Sequence, residues 1–163
     1  MDVMKESVDR LEDLSPHEQR NVIATLKELV STQSDAADGY ETVATQVNDA
    51  GLASLLVTYG ARRRLFCEQL QRLLGEAAPS APLVERSPLG KLHRHLIEMR
   101  GKVEHMHAIA ALSECERGER VALMRYERAL KQRLPMPIAV VLLDQIEEIR
   151  DARHDFDRMR HPW

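Results

Sequence analysis

The chain has 163 residues, a length suited to one domain with one sizeable core. With 44% hydrophobic and 30% charged residues it does not read as a disordered polymer, and a formal net charge of −3 gives no overall basic field for nucleic acid. No apolar run approaches the ~20 residues that cross a bilayer.

In chain order, Val3, Val8, Leu11 and Leu14 have helix-compatible spacing and predict a short N-terminal helix over 1–14. The same stretch has acidic residues and no apolar core, so no secretory signal is expected. Ser15-Pro16-His17-Glu18 reads as a capping box, with Pro16 at the first helical position. A first bundle helix follows to about residue 47. Its seam is Val22, Leu26, Leu29, Gln33, Ala36, Tyr40, Val43 and Val47, in alternating steps of four and three. Residues 48–51 form a tight connection.

The second helix, 51–75, uses Leu52, Leu56, Tyr59, Arg63, Phe66, Leu70 and Leu73, with Gly75 as its stop. Residues 76–87 are the one long linker. Ser87-Pro88 opens a short helix over 88–100, and a break is expected near Gly101, because an unbroken helix from 88 to 134 would be ~70 Å long. The third bundle helix runs to about 134 on Ile109, Leu112, Glu116, Glu119, Leu123, Tyr126 and Leu130. Pro135-Met136-Pro137 ends it and starts the fourth, on Ile138, Leu142, Gln145, Ile149, Ala152, Phe156 and Met159. Residues 1–163 thus read as a single all-α domain, with a four-helix bundle over 16–160. Its short first and last connections and one long crossover imply the ferritin-like antiparallel arrangement.

Asp38-Gly39-Tyr40, the run Leu89-Gly90-Lys91-Leu92-His93-Arg94, and Glu114-Cys115-Glu116-Arg117-Gly118-Glu119 followed by Tyr126 and Ala129-Leu130 carry a resemblance. Over about residues 20–160 the chain resembles a bacterial ferritin-like four-helix-bundle family of unknown function, a domain of unknown function related in shape to ferritins and rubrerythrins. The resemblance implies that bundle and no activity. The fourth helix departs from the family pattern of a His-Asp pair: an ungapped match puts Arg153 at the histidine, with His154 one place later.

A ferritin-type di-iron site takes one Glu from each of two helices and a Glu-x-x-His pair from each of the other two. The strings Asp151-x-x-His154 and Glu104-x-x-His107 look like such pairs. At 100° per residue, however, Asp151 and His154 fall roughly 130–170° from the seam of their helix. Glu68, Asp38, Glu41 and Glu104 also lie off their seams. The other histidines, His17, His93, His95, His105 and His161, read as surface or boundary residues.

A different polar set does sit on the seams: Gln33, Arg63, Glu116, Glu119 and Gln145. They are expected to form a buried layer in which Arg63 pairs with Glu119 or Glu116, Gln33 bonds to the pair, and Gln145 lies about two turns away. A buried carboxylate needs a cation or an arginine, and an arginine takes the place of a metal. No cofactor is therefore expected. The alternative is a metal-binding ferritin-like oxidoreductase or storage protein, with iron or manganese on Glu116 and Glu119. A third reading is a small-molecule binder using the interior beside the layer. No catalytic arrangement is legible.

Cys67 and Cys115 lack metal or redox spacing and read as reduced, partly buried thiols of a cytoplasmic protein. Gly39, Gly60 and Gly118 flank the seams, marking close helix approach or a contact with a second copy. A homo-oligomer, most simply a dimer, is expected, with no nucleic acid or membrane partner. The expected role is that of an interaction protein, or of a stress-associated one by analogy with ferritin-like proteins.

Overall fold

The computed structural model describes residues 7–80 and 107–161. They form four long helices: α1 Pro16–Gln46, α2 Ala50–Ala77, α3 Ala108–Leu130 and α4 Met136–Arg160. No strand is present among the described residues, and the helices pack as a bundle. The predicted 88–100 helix and the break at Gly101 lie outside the described residues, as do Glu104, His93, His95 and His105.

α1 starts where its capping chemistry directs. Glu18 N donates to Ser15 Oγ at 3.3 Å, and Ser15 N donates to Glu18 Oε2 at 2.8 Å. Each bond satisfies an amide that a helix start would leave unpaired. α2 is capped by Asp49, whose Oδ1 accepts from Leu52 N at 2.8 Å. It does not stop at Gly75 but runs on to Ala77: Ala77 and Ala78 pack against the core, and Ala78 N donates to Leu74 O at 2.8 Å, which offsets the ~1 kcal/mol that an interior glycine costs. The proline pair does separate α3 from α4, although α3 ends earlier than predicted, at Leu130.

The described part of the N-terminal segment is not an α-helix. It contains one 3-10 turn, Leu11–Asp13. Val8 N donates to Leu134 O at 3.2 Å, and Met136 N donates to Val8 O at 2.8 Å. These bonds hold Val8 extended against the α3–α4 turn, where Val8 and Leu14 close the core.

The interior consists of two apolar clusters. One gathers Val22, Leu26, Leu29, Phe66, Leu70, Leu130, Leu142 and Ile149. The other gathers Tyr40, Leu52, Leu56, Ala111, Leu112, Ala152 and Phe156. Four seam assignments change. Ala37 and Leu74 are in the core where Ala36 and Leu73 were expected, while Ile109 and Met159 are exposed. A straight-helix wheel accumulates such one-residue offsets along a long helix, and at a helix end the neighbours no longer cover the seam. No helix of the described residues is long and apolar enough to cross a membrane.

Candidate functional site

Between the two clusters lies a polar layer. Arg63 on α2 and Glu119 on α3 are 1% and 2% exposed and face each other across the bundle. Arg63 Nη2 donates to Glu119 Oε2 at 2.7 Å, and Nε donates to Oε1 at 3.3 Å. This two-point fork is the strongest geometry available to an arginine–carboxylate pair. Tyr40 on α1 also donates its hydroxyl to Glu119 Oε1. The guanidinium lies 5.2 Å from the centre of the Phe66 ring, a cation–π distance.

Burial pulls the Arg63 pKa down, but Glu119 and Tyr40 outweigh it and leave the guanidinium above its ordinary value. Burial, then the adjacent Glu119, pushes the Tyr40 hydroxyl up, so it stays protonated and donates. Cys115 beside them is pushed up to about 12, first by burial and then by Glu119, and is no thiolate nucleophile near neutral pH.

Gln33 and Gln145 belong to a neighbouring chain of bonds instead of the ion pair. Gln33 Nε2 donates to the Tyr126 hydroxyl at 2.8 Å, which donates to Gln145 Oε1 at 2.5 Å. Gln145 Nε2 donates in turn to Gln69 Oε1 at 2.8 Å. The expected bond from Gln33 to the Arg63 pair is thus corrected: Tyr126 stands within its reach and takes it. Gln145 is joined to Gln33 through one hydroxyl, not set two turns apart. Gln33 Oε1 is buried without a donor among the described residues.

Glu116, one turn before Glu119, stays outside this layer. It turns to the α3/α4 surface and meets Arg120, Arg153 and Arg160. Hydrogen bonds from Arg120, and with them Arg153, hold its carboxyl below the usual carboxylate range. Asp151 and His154 are exposed on α4, and Glu68 is exposed on α2. Among the described residues no three His, Cys, Asp or Glu side chains gather closely enough to hold a metal ion. The centre offers one carboxylate with three donors already on it, which does not match the four carboxylates and two imidazoles of a di-iron centre.

Beside the layer, residues of α1 and α3 line a groove of about 700 Å³. Ala36, Val43, Val121 and Ala122 line its walls, and Tyr40 and Glu119 reach its floor. Gly39 and Gly118 also face it. A Cβ at either would touch nothing within 4 Å, whereas one at Gly60 would lie 3.3 Å from Tyr40 Cβ. Close approach therefore explains Gly60 and not the other two. Gly118→Ala is expected to stabilise by about 0.5–1 kcal/mol through helix propensity, and Gly60→Ala to gain none of it. Urea denaturation checks this, and equal gains at both positions would contradict it.

Sequence reasoning missed the hydroxyls of Tyr40 and Tyr126, the three arginines on Glu116, and the groove. The only advance signal for the groove was two glycines off the seams at helix-interior positions.

The fold and the layer define an all-α four-helix protein whose interior carries a saturated arginine–carboxylate pair. The chain belongs to the family described as a domain of unknown function (DUF2383), whose model matches residues 21–132. No curated protein and no solved structure matches it.

Proposed function

We propose that this protein is a ferritin-like antiparallel bundle that works without a di-iron centre, as a non-catalytic cytosolic interaction or stress-associated protein. The observation that carries the reading is Arg63 on Glu119: the cation that a buried carboxylate requires is supplied by the chain itself. The antiparallel arrangement is supported by the ladder between α1 and α3. Thr25 meets Gln132, Glu28 meets Arg128, Gln33 meets Tyr126 and Tyr40 meets Glu119, so one number rises as the other falls. The stress-associated role rests on analogy with ferritin-like proteins.

The interaction role is supported by the α1/α3 groove and by Val121 and Met124, exposed on α3. Its occupant in this reading is a second copy of the chain. The α1 wall carries Asp35 and Asp38, the latter bound to Arg64, and the α3 wall carries Arg117 and Arg125 together with Glu114, which pairs with Arg117. A two-fold axis running along the groove would set the α1 wall of one copy against the α3 wall of the other, bringing Asp35 towards Arg117 and Arg125. Burial raises the half-buried Asp35 carboxyl, so a cationic partner there would be stabilising. Light scattering should then give about twice the 18.6 kDa chain mass, and a strict monomer would remove this part of the reading.

Elemental analysis of freshly purified protein tests the metal-free bundle. Iron and manganese should be far below one equivalent per chain. About two equivalents of either would overturn the proposal and establish the oxidoreductase or storage reading instead.

A further inference from the structure

The three arginines around Glu116 form a cluster that the buried layer does not use. Arg120 Nη2 reaches both carboxylate oxygens, at 2.9 and 2.8 Å. Arg153 Nε donates to Oε1 at 3.1 Å, and Arg160 Nη1 lies 3.6 Å from Oε2. Three positive charges thus surround one negative charge, a local surplus of two on a chain whose net charge is −3. Elsewhere on the described surface the excess is smaller: Arg125 and Arg128 share Glu28, and other arginines meet one or two carboxylates each. Arg62 has Glu148, Arg158 has Asp155, and Arg64 and Arg150 each have two carboxylates. Among the described residues none of the cluster arginines pairs with a second acid. Asp157, between Arg153 and Arg160 on α4, makes no ion pair among the described residues, and the other polar contact of Arg160 is with the His161 ring, at 3.5 Å.

A guanidinium carries five N–H donors, and one carboxylate engages only a fraction of the fifteen or so present here. The remainder are accessible: the side chains of Arg120, Arg153 and Arg160 are 62%, 45% and 25% exposed. Glu116 itself is 8% exposed and fixed in the α3/α4 seam, so it acts as a peg that draws three forks to one spot. Held in this way, they match the planar, multi-donor recognition that phosphate oxygens favour.

We propose that the Arg120–Arg153–Arg160 face is a binding site for a phosphate-type oxyanion, with Glu116 as its positioning residue. A phosphate oxyanion meets the net positive charge that remains after Glu116 and the neighbouring Asp157, and takes up donors that Glu116 leaves open. The shared chemistry is the phosphoryl group, either as free phosphate or as the monoester of a larger molecule.

Calorimetric titration of the full chain in phosphate-free, low-salt buffer tests the proposal. One arm uses inorganic phosphate, a second uses phenyl phosphate, and a third uses chloride at matched ionic strength. Saturable binding is expected with both phosphates and none with chloride, weakening as salt rises. Tighter binding of the ester identifies a monoester ligand, and equal binding identifies free phosphate. The variant R153Q/R160Q should bind roughly tenfold more weakly or worse, and R120Q should also lose affinity without touching the core. Arg62→Gln, in a separate exposed pair, should bind like the parent. Heats that follow ionic strength alone, or full affinity in R153Q/R160Q and R120Q, would overturn the site. Neither outcome bears on metal content, so the proposed function stands or falls separately.

Discussion

Arg63→Ala is expected to lower the unfolding free energy by about 3–5 kcal/mol. The substitution removes both members of the fork to Glu119 and leaves a carboxylate that is 2% exposed with one remaining donor, the Tyr40 hydroxyl. It also removes a side chain that is itself fully buried and stacked near Phe66. For a chain of this size each kcal/mol is worth roughly 2–4 °C, so the midpoint should fall by about 10 °C. Urea denaturation at neutral pH checks the magnitude. A loss under about 1 kcal/mol would mean that the pair carries little of the folded state.

Phe156→Ala should cost a similar amount, about 3–5 kcal/mol, for a different reason. The Phe156 ring is 0% exposed and closes the cluster at the other end of the bundle. Its centroid is 5.0 Å from that of Tyr59 and 5.9 Å from that of Tyr40, within the range of favourable ring pairs. Alanine would leave a cavity and release the two tyrosines. Tyr59 is bonded through its hydroxyl to Asp155 Oδ2 at 2.8 Å, so this end cannot collapse freely to fill the space. Met159→Ala, three residues on and exposed, should change stability by less than about 0.5 kcal/mol. Thermal unfolding of both variants gives the comparison, and equal effects would contradict the assigned core.

The helices and the polar residues of the interior were legible because both depend on spacing. Arg63, Glu119, Gln33 and Gln145 stand at steps of three and four within apolar seams, and all four are buried. Partner choice was not legible. Tyr40 and Tyr126 read as apolar seam residues, and only their hydroxyl ends decide that one joins Glu119 and the other Gln33. Glu116 and Glu119 share a helix face within 60°, so the wheel could not separate them; the arginines on α3 and α4 did. Those arginines sit on the outer side of their helices, and their long stems reach inward to the seam in a way that no periodicity records. The groove depends on the spacing between α1 and α3, which is a property of tertiary packing. At the N-terminus, Val8, Leu11 and Leu14 fit a helix by spacing, yet the backbone of Val8 finds better partners beside Pro135.

A double-mutant cycle on Arg63 and Glu119 probes most directly whether the chain supplies its own interior cation. Arg63→Met and Glu119→Leu should each be strongly destabilising, and the combined variant should lose clearly less than the two losses added together, because a matched apolar pair strands no charge and leaves only the Tyr40 hydroxyl without its acceptor. Losses that simply add in the double variant would show that the two side chains do not depend on each other, and would contradict the account.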